Sequence, residues 1–222
     1  MYQLLETIRL EAKKFCNLDL HAKRMRESRA KLFGVDKPIP LASYLEVPSG
    51  FGESRYKCSL PYGRSIGTAE YSPYTPIPIT KLVVVNSAPF DYSLKWIDRS
   101  ALDALKTRGH TILQNRSGVS GPDGGVVRGS FEIIISIEGR ITDTSYSNIA
   151  FRDGERWVTP AQPLLEGTKR RELLDSGVLR EKAITVDEMS SYGSVTLINS
   201  MLDPGEIEIP TQYIAYDPEI DP

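Results

Sequence analysis

Residues 131–160 read FEIIISIEGRITDTSYSNIAFRDGERWVTP, and the order of strand and turn signals in this stretch decides the fold. Phe131 to Ile137 is a nearly continuous apolar run and Glu138-Gly139 a turn. Arg140 to Phe151 reads as a second strand, Asp153-Gly154 as another turn and Trp157 to Pro160 as a third strand. The spacing predicts an antiparallel meander at the centre of a larger C-terminal unit.

Downstream, Leu164 and Leu165 lead into GTKRRELLDSG, a helix that starts at Gly167-Thr168 and stops at Gly177. Ser194 to Ile198 is a last strand, running into Asn199, Ser200 and Met201. Upstream, Asp98 to Arg108 reads as a helix, and residues 115–129 carry five glycines in fifteen positions without periodicity, which predicts a loop. Tyr2 to Leu10 alternates as a strand, with Lys14 to Leu18 as its hairpin partner. Asp19 is the expected N-cap of a helix over about 20–33 that Gly34 closes. Prolines 38, 40 and 48 mark a loop; Arg55 to Leu60, Ser65 to Tyr71 and Lys81 to Asn86 read as strands. The expected class is α+β in two domains. A small one over 1–88 has a sheet and one helix, a linker at 89–93 contains Pro89, and a larger one over 94–222 holds a barrel-like meander sheet.

The 222 residues carry 27 Lys plus Arg against 29 Asp plus Glu, a formal net charge of −2, and are 40% hydrophobic. That balance fits a folded core and excludes disorder and bulk polyanion binding, so no nucleic-acid partner is expected. Cys16 and Cys58 are too few for a disulfide framework and lack CxxC spacing, which points to a reducing cytoplasm and no zinc. No apolar run reaches the roughly 18 residues that span a bilayer, so no membrane association is expected. His21 and His110 stand in no GxSxG or HExxH arrangement, which argues against histidine as the base.

Taken singly, Lys95, Asp143 and Arg24 read as solvated or turn charges. The helix start at Gly167-Thr168 offers free backbone N–H groups, with Lys169 and Arg170 adding positive charge, the elements of an anion site. In combination the pieces say more. LETIRL, HAKRMRESR, YSLKWIDR, ITDTSYSNIAF, TPAQPLLEGTKRRELL and LINSM follow one another from Glu6 to about Met201. This order resembles the class IV aminotransferases, the fold-type IV pyridoxal-phosphate (PLP) enzymes that include branched-chain and D-amino-acid aminotransferases and 4-amino-4-deoxychorismate lyase.

The resemblance implies PLP as cofactor, no metal, a small amino-bearing substrate and a homodimer whose neighbouring subunit completes the site. Lys95 takes the Schiff-base lysine position and shuttles the proton. Asp143 stands where the family usually has glutamate and would pair with the pyridine nitrogen. Arg24, in an HxxR pattern opened by His21, matches the phosphate-holding arginine. Gly167, Thr168, Lys169, Ser200 and Met201 would complete the phosphate cup, while His21 reads as structural and Ser147 and Asn148 as shaping the strand around Asp143. Alternation puts residues 5, 7 and 9 on one face, which in the family looks onto cofactor and substrate. Thr7 there is similar to the lyase branch, where a hydroxyl helps protonate the leaving pyruvate unit.

The chain also departs from the pattern. The INGE-like strand and glycine turn that precede this first strand in relatives are expected to be missing or replaced. Aspartate at 143 is one methylene shorter than glutamate, and GTKRREL lacks the isoleucine-threonine pair of GITR. The expected function is a lyase converting aminodeoxychorismate to 4-aminobenzoate and pyruvate. The alternatives are a class IV aminotransferase and a degenerate PLP-binding protein without turnover.

Overall fold

The computed structural model describes residues 2–116 and 130–217; most of the glycine-rich segment expected as a loop lies outside the described residues. In β1 (Leu4–Glu11) the side chains of Leu4, Glu6, Ile8 and Leu10 are all buried. Its alternation therefore places one carboxylate in an otherwise apolar register. A two-residue turn, with both Ala12 and Lys13 at positive φ, returns β1 into the short β2 (Lys14–Phe15). α1 (Leu18–Phe33) then packs His21, Met25 and Ser28 inward. It begins two residues ahead of the expected cap: Asn17 in the left-handed region is the N-cap and no side chain bonds the first N–H groups, whereas Gly34 closes the helix at φ 67 as expected. β3 (Tyr56–Tyr62) and β4 (Glu70–Pro73) complete a sheet in the order β2-β1-β3-β4.

β5 (Ile79–Ser87), read from sequence as part of the first unit, belongs instead to a second sheet. It runs parallel to β6 (Ser130–Ile137), and α2 (Ser100–Arg116) lies between them in the chain, the crossover that a parallel pair requires. α2 extends eight residues past the expected end at Arg108, taking in Asn115 and Arg116. The apolar runs LVVV and III are explained by burial on both faces. Leu82, Val84 and Ile134 face one cluster, while Val83, Val85, Ile133 and Ile135 face another shared with Leu102 and Ile112 of α2. Each fully buried aliphatic side chain contributes roughly 1.5–3 kcal/mol.

The second meander strand is in fact two, and the break matters. β7 (Arg140–Thr144) pairs with β6, but β8 (Asn148–Asp153) pairs with β9 (Arg156–Pro160) in a third sheet. Hydroxyl groups build the corner. The Thr144 Oγ1 accepts from the N–H groups of Tyr146 and Ser147, and the Thr144 N–H donates to the Ser147 carbonyl. Short polar residues that satisfy the backbone locally override the strand pattern around them. α3 (Thr168–Asp175) returns the chain to β10 (Leu179–Lys182), parallel to β9. β11 (Ser194–Ile198), β12 (Glu208–Pro210) and β13 (Ile214–Tyr216) finish the sheets β10-β9-β8-β11-β12 and β13-β5-β6-β7. The two face one another across Leu82, Ile134, Ile141, Ile149, Phe151 and Leu197. The architecture is mixed, with both parallel and antiparallel pairs. Among the described residues no helix is long and apolar enough to cross a membrane.

Candidate active site

The Thr144–Ser147 corner, the loop before α2, the face of α1 and the start of α3 converge on an open cleft lined by Arg24, Lys95, Asp143, Gly167, Thr168 and Ser200 among others. Lys95 is held by its backbone, since its carbonyl accepts from the N–H of Leu5 at 3.0 Å and Trp96 bridges to Leu4. β1 thereby fixes the lysine although the two are ninety residues apart. The Lys95 amine makes no hydrogen bond or ion pair among the described residues. Burial first, and then the charge of Arg24, push its ammonium down to about 8, with Arg99 acting in the same direction and Glu6 against it.

Asp143, the next-to-last residue of β7, lines the cleft and is almost fully buried. Its Oδ1 accepts from Asn148 Nδ2 at 2.7 Å and its Oδ2 from the Leu165 N–H at 2.9 Å. Burial outweighs both donors and pushes the carboxyl up to about 7. Asn148 also donates to the Leu165 carbonyl at 2.9 Å, so it ties the corner to the segment leading into α3. That close approach requires Gly167: a Cβ there would sit 2.0 Å from Asn148 Oδ1.

Arg24 reaches the cleft from α1 and carries its own counter-ion. Its Nε and Nη2 donate to Glu6 Oε1 and Oε2 at 2.9 and 2.5 Å, and its Nη1 to the Glu166 carbonyl at 3.3 Å. The same carboxylate accepts from His21 Nδ1 at 2.7 Å, and the other ring nitrogen faces Thr168 Oγ1 at 3.4 Å. Burial opposes ionisation of Glu6, but the Arg24 charge and the His21 hydrogen bond hold it at about 2. His21, completely buried, has its pKa lowered by that burial, so it is neutral, with Nδ1 as donor. α3 opens with no side-chain cap on its N-terminus, leaving backbone N–H groups at Gly167 and Thr168 on the cleft wall.

Three of the residues expected at the site are not among those lining the cleft. Thr7 is half-buried beside it, its carbonyl accepting from Ser200 Oγ at 2.7 Å. The Lys169 side chain is paired with Glu172 and Asp203, each at 2.8 Å. The Met201 N–H is spent on Asn199 Oδ1 at 2.8 Å. Sequence reasoning in turn passed over Glu6, Arg99 and Tyr92. The signal for Glu6 was a carboxylate in the buried register Leu4–Glu6–Ile8–Leu10, needing partners that His21 and Arg24 supply one helical turn apart. No comparable signal marked Arg99. Among the described residues no group of three or more His, Cys, Asp or Glu is placed to hold a metal ion.

Fold and cleft together match those of solved structures described as class IV aminotransferase-like enzymes and lyases. The chain is class IV aminotransferase-like: the family model Amino-transferase class IV matches residues 127–205. A protein of Haemophilus influenzae described only as uncharacterized is 29% identical over 203 residues, covering 90% of this chain and 98% of its own. The crystal structure of a candidate 4-amino-4-deoxychorismate lyase from Haemophilus somnus 129pt is 28% identical with a TM-score of 0.77, covering 90% of this chain and 97% of that one. A hypothetical aminotransferase from Mycobacterium tuberculosis, solved in a PLP-bound form, shares the fold at 16% identity and a TM-score of 0.69, covering 98% and 84%.

Proposed function

We propose that this chain is a PLP-dependent lyase acting on aminodeoxychorismate to release 4-aminobenzoate and pyruvate. The observation that carries the reading is the juxtaposition in one cleft of an unpaired lysine amine, a buried carboxyl and an arginine beside free helix-start N–H groups. The residues fit the cofactor. Gly167 leaves backbone where a Cβ has no room, and Asp143 is a buried acid, partly ionised near neutrality, that a positive group facing it would draw to the carboxylate. When bound, PLP supplies an electron sink for the charge left by deprotonation. Arg24 and the Gly167 and Thr168 N–H groups would hold its phosphate, and Asp143 would hold the proton on its ring nitrogen.

Lys95, with its ammonium depressed to about 8, presents a substantial neutral fraction near neutrality and is able both to bond a carbonyl and to carry a proton. It removes the proton from the amine-bearing ring carbon. The adjacent C–O bond then breaks, the ring becomes aromatic, and the departing enolpyruvate takes up that proton as pyruvate. Since Thr7 is not among the residues lining the cleft, Lys95 is the proposed donor in this last step. The resemblance to the Haemophilus somnus protein supports the lyase over an aminotransferase. A homodimer, to be checked by light scattering, is part of the same proposal.

Formation of 4-aminobenzoate without any keto-acid acceptor tests the reaction, and strict dependence on a keto acid would replace it with amino transfer. Purified protein should absorb in the visible through a cofactor linked to Lys95. Lys95→Ala should lose that absorption and all turnover, and a colourless wild type that stays colourless with added PLP would leave a protein without this chemistry.

A further inference from the structure

The cleft is lined by three cationic side chains, and only two have an evident fate. Arg24 is matched by Glu6 through two hydrogen bonds, and Lys95 would be taken up by its bond to the cofactor. Arg99, half-buried at the entry to α2, makes no ion pair among the described residues. Its Nη2 donates to the Ser145 carbonyl at 2.7 Å, and Tyr92 lies alongside. Arg29, half-buried and likewise without an acid partner among the described residues, donates to the Gly63 and Arg64 carbonyls and does not line the cleft, while three other arginines are paired with acids. Arg9 pairs with Glu11 and Asp203, Arg55 with Glu11 and Glu206, and Arg170 with Glu166 and Glu181. A guanidinium has five N–H donors in a planar fork, and withdrawing it from water without an anion costs stability unless one arrives.

Arg99 is also held in place. The Ser145 N–H that adjoins its anchoring carbonyl donates to Glu132 Oε1 at 3.2 Å, and Glu132 is completely buried and paired with Lys106 at 2.7 Å. The corner that carries Asp143 therefore also fixes Arg99, so the cation meets its ligand already oriented.

We propose that Arg99 is an anion-anchoring residue of this cleft, binding through its free N–H groups an anionic oxygen of what the cleft takes up. The oxygen belongs either to a substrate carboxylate or to the ring hydroxyl of the cofactor. The inference rests on the reading of the cleft given above, but its test does not require turnover. Binding of 4-aminobenzoate and of aniline, which lacks the carboxylate, is measured by calorimetry for wild type and Arg99→Gln, and PLP uptake by visible absorbance for both. Loss of one charge-assisted bidentate contact should weaken binding about 10- to 100-fold.

A selective loss of 4-aminobenzoate affinity identifies the carboxylate. A weakened PLP affinity with a shifted visible band, at unchanged preference for 4-aminobenzoate over aniline, identifies the ring oxygen. Arg99→Lys, which keeps the charge, should recover part of either effect. If Arg99→Gln melts like wild type and matches it in both measurements, the proposal is wrong. If wild type takes up no PLP, the cofactor reading fails by itself and the carboxylate measurement still decides on Arg99.

Discussion

Replacing Gly167 by alanine isolates one contact on which the cleft depends. Gly167 has φ −71 and ψ 142, a conformation open to any residue, so alanine adds no backbone strain. The added Cβ would lie 2.0 Å from Asn148 Oδ1, and ordinary contact begins at 3.4 Å, so the amide has to retreat about 1.4 Å. Its Nδ2 then loses Asp143 at 2.7 Å and the Leu165 carbonyl at 2.9 Å. A charge-assisted and a neutral hydrogen bond together are worth about 2–4 kcal/mol, which for a chain of this size lowers Tm by about 5–15 °C. The informative comparison is Gly167→Ala in an Asn148→Ala background. There nothing obstructs the Cβ, and the same substitution should be neutral or stabilising by up to about 1 kcal/mol, because alanine restricts the unfolded chain. Urea denaturation of the four cofactor-free proteins gives the cycle. A Gly167→Ala cost that is the same in both backgrounds, or below about 0.5 kcal/mol in wild type, would refute the steric argument.

Three further outcomes follow from the buried charges and the first turn. Burial raises Asp143 to about 7 from 3.8, so its contribution to stability is complete below pH 3.8 and is lost as pH climbs through 7; Asp143→Asn should abolish that decline, roughly 2–4 kcal/mol, in cofactor-free denaturation between pH 4 and 8. Glu6 has the opposite sign, its stability present above 4.5 and lost as pH falls through 2. Glu6→Gln leaves Arg24 buried without its counter-ion and should cost about 3–5 kcal/mol by urea titration, a loss below 1 kcal/mol showing the pair to be dispensable. Ala12 and Lys13 have φ of 48 and 59, so Ala12→Asn with Lys13→Gly should raise stability by about 1 kcal/mol, and an unchanged melting temperature would show that the turn is not strained.

How much of the fold could be read from the sequence depended on whether the deciding interactions were local. The β1 alternation, the Gly34 stop and the β11 strand are set by neighbours in the chain, and each falls within a residue or two of its expected place. β5 was legible as a strand but not as a member of the second sheet. An apolar run states that both faces are buried and does not say against which partner, and here the partner is β6, across the whole of α2. The β7–β8 break was written in residues 144–147, yet the alternation on either side of ITDTSYSNIAF continues as if through one strand. Only the Thr144 hydroxyl bonds reveal the corner.

The corner also explains why an aspartate stands at 143. A side chain projecting from a straight central strand needs length to reach a ligand across the sheet, whereas Asp143 sits on the last turn-ward residues of β7, where the chain folds away and the cleft begins immediately. Both of its oxygens are already engaged by Asn148 and Leu165, and each retains a lone pair for a further donor. The shorter acid is thus pinned by the residues that make the corner, and a longer one would have to displace them. Glu6 follows the same logic on the other wall: it does not line the cleft, but Arg24 and His21 are held where they stand by its carboxylate. In both cases the group that faces the cleft was legible as a residue type; of the groups that orient it, Asn148 was legible beside Asp143 within one motif, whereas Glu6 and Leu165 were not. An orienting partner is defined by distance in the folded chain, 18 residues away for Glu6 and Arg24 and 22 for Asp143 and Leu165.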